Sequence, residues 1–223
     1  MELSSRNKKV SKSILEEFKD LPTSILSDVL DSLGIRGVIT GILPLVEGIR
    51  LVGYAVPVKE VSGSRGTYPL EDFAVGSVID VASKGDVIIF DLEGKPVSTW
   101  GGLASQAAIN KGLPGIVVDG GVRDIDEIRQ LKFPVFAKHR VPTTGKTRVK
   151  ILSINEPIEC SGVKVRPGDI IVGDSTGIVV VPSEMAADIL QKAKELEKVE
   201  RRFENELKNG SSFQEAAKKL RHL

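Results

Sequence analysis

The chain has little of what several common kinds of functional site require. Its 223 residues include one cysteine, Cys160, and two histidines. A single cysteine can form neither an intrachain disulfide nor a cysteine metal cluster. One histidine, His222, is the penultimate residue and the other, His139, lies between two cations, which does not suggest a zinc site. We therefore expect any bound metal to have oxygen ligands.

The chain also lacks an excess of charge, aromatic surface and long apolar runs. Lys and Arg number 31 against 30 Asp and Glu, which gives no reason to expect nucleic acid or an anionic membrane as a partner. Aromatic residues make up 4%, too few for surfaces that stack single-stranded nucleic acid. No apolar run approaches the roughly 18 residues of a membrane span. The N-terminal segment has no hydrophobic stretch of a secretory signal, and we expect a soluble, cytoplasmic protein.

Length and patterning favour a single α/β domain over residues 1–223, with residues 1–10 flexible and 183–223 forming a C-terminal helical segment. Two N-terminal helices are predicted, the second capped by Thr23 and ended by Gly34. Strands then alternate with helices, which predicts parallel pairing. From Arg148 onward, short strands joined by Gly, Pro and Asp turns predict an antiparallel meander. The predicted strands of the first part are 49–61, 87–90, 115–118 and 134–137, and its later helices include 70–82 and 125–131.

The backbone chemistry of the chain is concentrated between Trp100 and Asp124. Gly101 and Gly102 are predicted to begin a helix. The first N–H groups of a helix have no partner within it, so they can bind an anion. This part of the sequence therefore predicts a site for a small carboxylate.

Two charged residues follow the next predicted strand. The β-branched run 115–118 is typical of a buried strand. We expect Gly120 and Gly121 to turn the chain there and to present Arg123 and Asp124 beyond the carboxyl end of the strand. Ligand crevices of α/β sheets lie at that end.

Arg123 and Asp124 have side chains suited to a metal-dependent reaction of a 2-oxo acid. Their side chains are expected to diverge, so they need not pair with each other. An Arg can hold a carboxylate or oxyanion through its planar fork, and an Asp can hold Mg²⁺ or Mn²⁺. A divalent metal can chelate a 2-oxo acid and stabilise an enolate. The alternative is an ordinary pair of charges at the start of a helix.

Two other polar regions have open interpretations. The loop that contains Ser64, Arg65 and Thr67 combines hydroxyls, glycines and one cation, and it can fold around a carboxylate or phosphate or be an ordinary surface connection. Asp28, in the second predicted helix, is either a solvated carboxylate or a site-lining residue.

Two glycine motifs do not predict the sites with which such motifs are associated. The segment Gly145-Lys146-Thr147 matches the end of a phosphate-binding loop, but the leading glycine of that loop is absent. The segment 173–177 matches Gly-x-Ser-x-Gly, yet a strand follows where a nucleophile elbow needs a helix. We expect a hairpin turn there.

An ordered set of segments over nearly the whole chain resembles the RraA-like family. This family includes regulators of ribonuclease E activity and the class II 4-hydroxy-4-methyl-2-oxoglutarate (HMG) aldolases. The segments that carry the resemblance are TSILSD (23–28), GYA (53–55), GDVI (85–88), WGGLA (100–104), GIVVDG (115–120), VRD (122–124), FPVF (133–136), VRPGD (165–169) and GIVVVP (177–182).

The resemblance implies a fold, an assembly and a reaction. The fold is a swivelling β/β/α domain with mixed sheets, flanking helices and a long C-terminal helix. The assembly is a homotrimer or a hexamer made of two trimers, with the site between subunits. The reaction is retro-aldol cleavage of HMG-type substrates, oxaloacetate decarboxylation, or both, through a pyruvate enolate stabilised by Mg²⁺ or Mn²⁺.

The resemblance also implies roles for individual residues. Asp124 would be the metal ligand, directly or through water, and Arg123 would bind the oxo oxygen of the substrate. The backbone N–H groups of Leu103 and Ala104 would bind the pyruvyl carboxylate. Glu200, on the long C-terminal helix, would reach the metal site of the neighbouring subunit or lie on a solvated helix face.

At one position the sequence departs from the family pattern. Aldolase members usually carry an acidic residue where this chain has Gly102. The metal would then depend on Asp124 with waters, or on a carboxylate from elsewhere. The chain is accordingly interpreted as a metal-dependent lyase of a short 2-oxo acid, with two alternatives. One is a non-catalytic oligomeric regulator that binds a ribonuclease or helicase. The other is an aldolase of a different, phosphorylated substrate held by the loop at Arg65.

Overall fold

A computed structural model describes residues 10–220, so residues 1–9 and His222 lie outside the described part of the chain. Seven α-helices are described there: α1 (Lys12–Glu17), α2 (Thr23–Ser32), α3 (Val75–Val81), α4 (Gly102–Lys111), α5 (Ile125–Leu131), α6 (Ala186–Lys208) and α7 (Phe213–Leu220). The strands are β1 (Val38–Ile39), β2 (Leu43–Pro44), β3 (Leu51–Ser62), β4 (Asp86–Trp100), β5 (Gly115–Val122), β6 (Val135–Arg140), β7 (Val149–Ile154), β8 (Ile158–Cys160), β9 (Val163–Val165), β10 (Ile170–Gly173) and β11 (Ile178–Val181).

A mixed sheet organises these elements and confirms the α/β prediction. Its strand order is β1-β11-β10-β3-β4-β5-β6-β2, with β7 pairing to β3 as well. Strands β3, β4, β5 and β6 are parallel to their neighbours in this series, as the strand–helix alternation predicted. The pairs β3–β7, β3–β10 and β10–β11 are antiparallel, which confirms the predicted antiparallel pairing. The prediction of a meander is wrong, because β7 and β10 both pair with β3. The two short strands β8 and β9 form a separate antiparallel pair.

Helices cover the sheet next to the ends of β4 and β5. One apolar core joins Val78 of α3, Ala108 of α4 and Ile128 of α5 to the central strands, and Trp100 belongs to it. A second core joins α1, α2 and α6 to β3, β10 and β11. Because α4 and α5 each follow directly from a parallel strand, both helices begin at the same edge of the sheet.

The C-terminal segment is helical, as predicted, and Ser212 caps its last helix. Ser212 accepts a hydrogen bond from the Glu215 N–H at 3.3 Å, and its own N–H donates to the Glu215 carboxylate at 2.9 Å. This reciprocal pair is the capping box of a helix N-terminus. Across residues 10–220, every helix is too short or too polar to span a bilayer.

The prediction that Gly120 and Gly121 turn the chain is wrong. Both glycines lie inside the buried strand β5, which continues to Val122. A Cβ atom at Gly121 would be 2.5 Å from Val141 Cγ2 and 2.7 Å from the Val97 carbonyl oxygen. These glycines allow neighbouring chain segments to approach closely, which is the other common reason for a glycine in a strand.

Two smaller predictions also need correction. Thr23 does not cap α2 with its side chain; its Oγ1 and N–H both donate to the Asp174 carboxylate, at 2.8 and 2.9 Å. The helix over 70–82 is interrupted at Phe73, which packs against Leu92, Val97 and Val149.

Candidate active site at the ends of two parallel strands

The ends of β4 and β5 bring the predicted site residues together. Trp100 pairs with Val122 in register, so the turn into α4 and the turn into α5 lie side by side. The Arg123 N–H donates to the Trp100 carbonyl oxygen at 3.0 Å and holds the two turns against each other. The pair Arg123-Asp124 thereby faces the glycines that begin α4.

Asp124 has a left-handed backbone conformation, with φ +57° and ψ +43°. Asp is one of the few residues other than glycine that adopts this region readily. Its side chain does not cap the helix α5 that follows it. Instead its Oδ2 accepts a hydrogen bond from the Gly102 N–H at 3.2 Å, so the carboxylate is directed to the start of α4.

The expectation that Arg123 and Asp124 diverge is wrong. Arg123 Nε lies 3.3 Å from Asp124 Oδ2, and the two side chains are 41% and 31% exposed. The left-handed turn at Asp124 brings its carboxylate back alongside its neighbour. The ion pair is open to solvent, and pairs of this kind contribute little stability. Within residues 10–220 the terminal guanidinium nitrogens of Arg123 have no hydrogen-bond partner, so they can bind an anion.

The glycine pair at the start of α4 leaves space for two carboxylates. A Cβ atom at Gly101 would be 2.5 Å from Asp124 Oδ2. A Cβ atom at Gly102 would collide with the Glu127 carboxylate oxygen Oε2. The Glu127 side chain therefore occupies the volume that a side chain at position 102 would enter.

Sequence reasoning missed Glu127. It lies three residues after Asp124, on α5, and residues three apart on a helix share a face. The three-residue spacing between Asp124 and Glu127 was the only sequence feature that could have indicated this pair. Acidic residues are common at helix starts, so the spacing alone does not predict a site.

The first turn of α4 has free backbone donors. The Gly102 N–H is taken by Asp124, so it is not available to an anion in this arrangement. In the part of the chain that the structure describes, the N–H groups of Leu103 and Ala104 have no partner. Of the predicted anion-binding positions, the structure thus leaves those two donors open at the cavity, with Gly101 in the wall.

A small cavity of about 180 Å³ lies between these elements. It is lined by Phe73, Val75, Ser98, Thr99, Trp100, Gly101, Leu103, Ala104, Arg123, Asp124, Thr144, Gly145 and Lys146. The indole of Trp100 donates to Ser105 Oγ at 2.8 Å and its ring lies 5.6 Å from that of Phe90. These contacts fix the wall against which a ligand would lie.

Arg65 lines a second, larger cleft of about 640 Å³ next to this cavity. The two share Thr144 and Lys146. Lys146 belongs to the segment 145–147, whose incomplete phosphate-loop pattern does not predict a binding site. In the structure this lysine lies between the two cavities.

A buried carboxyl group stands behind the cavity wall. Glu60 accepts a hydrogen bond from Thr99 Oγ1 at 2.6 Å through Oε1, and its Oε2 has no partner among the described residues. Burial raises the pKa of Glu60 from 4.5 to about 8, with the nearby Asp91 charge acting in the same direction and the Thr99 hydrogen bond opposing it. Glu60 is therefore mostly protonated at neutral pH.

The remaining candidate residues lie away from this site. Asp28 is exposed, in agreement with a solvated carboxylate. Glu200 is half-buried on α6 and does not line either cavity of its own chain. His139 contacts the Gly94 carbonyl oxygen through Nε2 at 2.9 Å, and the segment 173–177 forms the predicted hairpin turn. Residues 10–220 contain no group of three or more His, Cys, Asp or Glu side chains arranged to hold a metal.

Comparisons with known proteins agree with the fold. The family described as RraA-like, Aldolase/RraA, matches residues 23–180. A protein of Halalkalibacterium halodurans named putative 4-hydroxy-4-methyl-2-oxoglutarate aldolase is 38% identical over 81% of this chain and 81% of its own length.

Two solved structures are similar over most of the chain. An uncharacterized protein of Pseudomonas syringae pv. tomato has a TM-score of 0.85 and 33% identity, covering 94% of this chain and 99% of that one. Streptomyces coelicolor RraAS2, described as an unusual member of the RNase ES inhibitor RraA protein family, has a TM-score of 0.77 and 26% identity. That match covers 87% of this chain and 97% of RraAS2.

Proposed function

The chain belongs to the RraA-like (Aldolase/RraA) family, and we propose that it is a divalent-metal-dependent lyase that releases pyruvate from a short 2-oxo acid. The observation that carries the proposal is the convergence of Arg123, Asp124 and the free N–H groups of Leu103 and Ala104 on one small cavity. A relative named putative HMG aldolase supports the same reaction class.

Different residues of the cavity bind different parts of the substrate. The N–H groups of Leu103 and Ala104 hold the pyruvyl carboxylate, as the start of a helix binds anions. The guanidinium of Arg123 donates to the oxo oxygen and offsets the negative charge that develops there in the transition state. The indole of Trp100 forms an apolar wall that limits water.

In retro-aldol cleavage the 4-hydroxyl loses its proton, the C3–C4 bond breaks, and its electron pair passes to C3 as the enolate of pyruvate. A proton then returns to C3, which gives pyruvate and a second oxo compound. In oxaloacetate decarboxylation the leaving group is carbon dioxide, and the same enolate is protonated.

The donor set at the cavity rim fits a hard divalent cation. Asp124 and Glu127 carry carboxylates at the glycines that begin α4, and both line an open depression where solvent has access. Mg²⁺ usually keeps several waters and is held by one or two carboxylates. Bound there, the metal would supply a Lewis acid for the oxo oxygen and carboxylate of the substrate.

The first prediction concerns the pair that defines the site. With Mg²⁺ or Mn²⁺, the purified protein should release pyruvate from oxaloacetate or HMG in a coupled assay. Asp124→Ala should abolish this release, and Arg123→Ala should reduce it roughly 100-fold or more, the usual cost of a lost oxyanion donor. Asp28→Ala is the control, because Asp28 is exposed and lines neither the cavity nor the depression beside it. Pyruvate release that survives chelators and both site variants would contradict the proposal.

Mn²⁺ binding to the purified protein tests the metal ligands without a measurement of catalytic activity. In Mn²⁺ titrations followed by electron paramagnetic resonance, Asp124→Ala should remove the bound signal and Glu127→Ala should weaken binding. The double variant Gly102→Asp with Glu127→Ala should recover binding, because it moves a carboxylate onto the position that Glu127 vacates. If Glu127→Ala binds Mn²⁺ as the wild type does, Asp124 and waters hold the metal without it.

A second candidate function is non-catalytic regulation of a ribonuclease or helicase by an oligomer of this chain. Its support is the similarity to RraAS2, which is described as a member of an RNase ES inhibitor family. Pull-down of purified ribonuclease E that is unaffected by Asp124→Ala, together with absence of pyruvate release, would favour this function over the lyase.

A further inference from the structure

The cleft beside the cavity has a strongly positive lining. Arg65, Lys146 and Arg148 contribute three cations, and no carboxylate is among the residues that line it. Thr143, Thr144 and Thr147 add three hydroxyl groups. A concave surface with one sign of charge raises the local concentration of ions of the opposite sign.

The cations of this cleft have no counterion in the described part of the protein. Arg148 donates to the Thr144 carbonyl oxygen at 3.2 Å, and the side chains of Arg65 and Lys146 form no hydrogen bond or ion pair within residues 10–220. Lys150, two residues beyond Arg148, differs because it lies 3.1 Å from the Asp72 carboxylate. The charges of the cleft are thus available to a ligand.

Backbone hydrogen bonds hold the two sides of the cleft together. The Gly66 N–H donates to the carbonyl oxygen and to Oγ1 of Thr147, at 3.1 and 3.2 Å. The Gly63 N–H donates to the Arg148 carbonyl oxygen at 2.8 Å. The loop that carries Arg65 is therefore tied to the segment that carries the other cations.

The cleft adjoins the cavity proposed for the pyruvyl group, since Thr144 and Lys146 line both. A substrate bound through its oxo-acid end could therefore place its other end in the cleft. A tetrahedral phosphate dianion accepts hydrogen bonds from several directions, whereas one Arg fork already satisfies a carboxylate. Three cations and three hydroxyls supply more hydrogen-bond donors than a carboxylate needs.

We propose that this cleft binds the phosphate monoester of the substrate, so that the lyase acts on a 4-hydroxy-2-oxo acid with a distal phosphate. This inference rests on the proposed lyase function. The reaction is the retro-aldol cleavage already described, and the phosphate remains on the aldehyde product while pyruvate is released from the other half.

A matched pair of substrates tests the proposed phosphate site. These are 2-oxo-3-deoxy-6-phosphogluconate and unphosphorylated 2-oxo-3-deoxygluconate, both assayed for pyruvate release with Mg²⁺. We expect the phosphorylated acid to have a higher kcat/KM by about 10-fold or more, since hydrogen bonds to charged groups contribute at least that factor. Arg65→Ala should raise KM for the phosphorylated acid by a similar factor. Release from the unphosphorylated acid and from oxaloacetate should not change.

The controls separate this inference from the proposed function. Lys150→Ala removes a nearby cation that is already paired, and it should leave the substrate preference unchanged. Pyruvate release from oxaloacetate that is equal in the wild type and Arg65→Ala, with no preference for the phosphorylated acid, would overturn the phosphate site and leave the lyase intact. If no substrate yields pyruvate, calorimetric titration with the two acids decides: equal binding of both acids overturns the phosphate site, and tighter binding of the phosphorylated acid that Arg65→Ala removes supports it.

Discussion

At the scale of single residues, the backbone conformation of Asp124 decides the geometry of the site. The sequence placed Arg123 and Asp124 after a buried strand, and the structure agrees with that position. The sequence could not indicate that Asp124 has a left-handed backbone conformation, because Asp adopts this conformation only where its surroundings favour it. As a result, the two side chains do not diverge but form an ion pair, with 3.3 Å between Arg123 Nε and Asp124 Oδ2.

Glu60 gives a prediction about stability and pH. Its pKa is raised from 4.5 to about 8 by burial in the folded state. Between these values the unfolded chain loses the proton while the folded protein keeps it, so the stabilising contribution is complete below pH 4.5 and is lost as pH rises through about 8. The loss amounts to the order of 4 kcal/mol. Urea unfolding of the wild type at pH 5 and pH 8.5 should therefore show lower stability at the higher pH.

Glu60→Gln should flatten this dependence, because the amide is uncharged at both pH values and its oxygen can still accept from Thr99. Glu159→Gln, at an exposed position of β8, is the control and should retain the wild-type dependence. An unchanged pH dependence in Glu60→Gln would show that Glu60 is not the group responsible.

At the scale of elements, glycines predicted some boundaries and misled at others. Gly34 follows the end of α2 with φ +67°, as predicted. Gly120 and Gly121, by contrast, are inside β5. A glycine in a sequence is compatible with a turn or with close packing of backbones. The choice depends on neighbours such as Val97 and Val141, which are distant in sequence from one another.

Replacement of Gly121 tests this interpretation. Gly121→Ala should lower the free energy of unfolding by about 1–3 kcal/mol, the cost of overpacking a filled core, because Val141 and the Val97 backbone occupy the position of the new methyl group. Gly76→Ala, in α3 with nothing within 4 Å of its Cβ, should raise stability by about 0.5–1 kcal/mol. Thermal unfolding of both variants measures these changes in the free energy of unfolding. A Gly121→Ala protein as stable as the wild type would mean that β5 ends before the glycines.

At the scale of the whole molecule, the open question is whether a second copy completes the site. Glu200 does not line either cavity of its own chain, so any part it takes in the site needs another subunit. The family resemblance implies a trimer or hexamer, and light scattering of the purified protein measures that directly. Shared sites between identical subunits are a normal property of closed symmetric oligomers.

Mixed oligomers test the contribution of Glu200. Asp124→Ala and Glu200→Ala should each be impaired alone, and equal co-expression should restore roughly one quarter of wild-type activity, since each intact site needs one residue from each of two neighbours. A mixture of Asp124→Ala with Arg123→Ala is the control and should restore none, because both residues belong to the same half of the site. Equal failure of both mixtures would mean that Glu200 acts within its own subunit, and full activity of Glu200→Ala alone would place Glu200 outside the site.

The sequence alone determined the α/β class, the parallel and antiparallel halves, the family resemblance and the position of Arg123 and Asp124 after a buried strand. These follow from local periodicity, glycine positions and ordered motifs, all of which act over short stretches of chain. Only the tertiary structure decided which groups surround Gly102, that Lys146 lies between two cavities, and that Glu60 Oε2 is buried without a partner among residues 10–220. Those properties depend on contacts between segments far apart in sequence, and local patterns contain no information about such contacts.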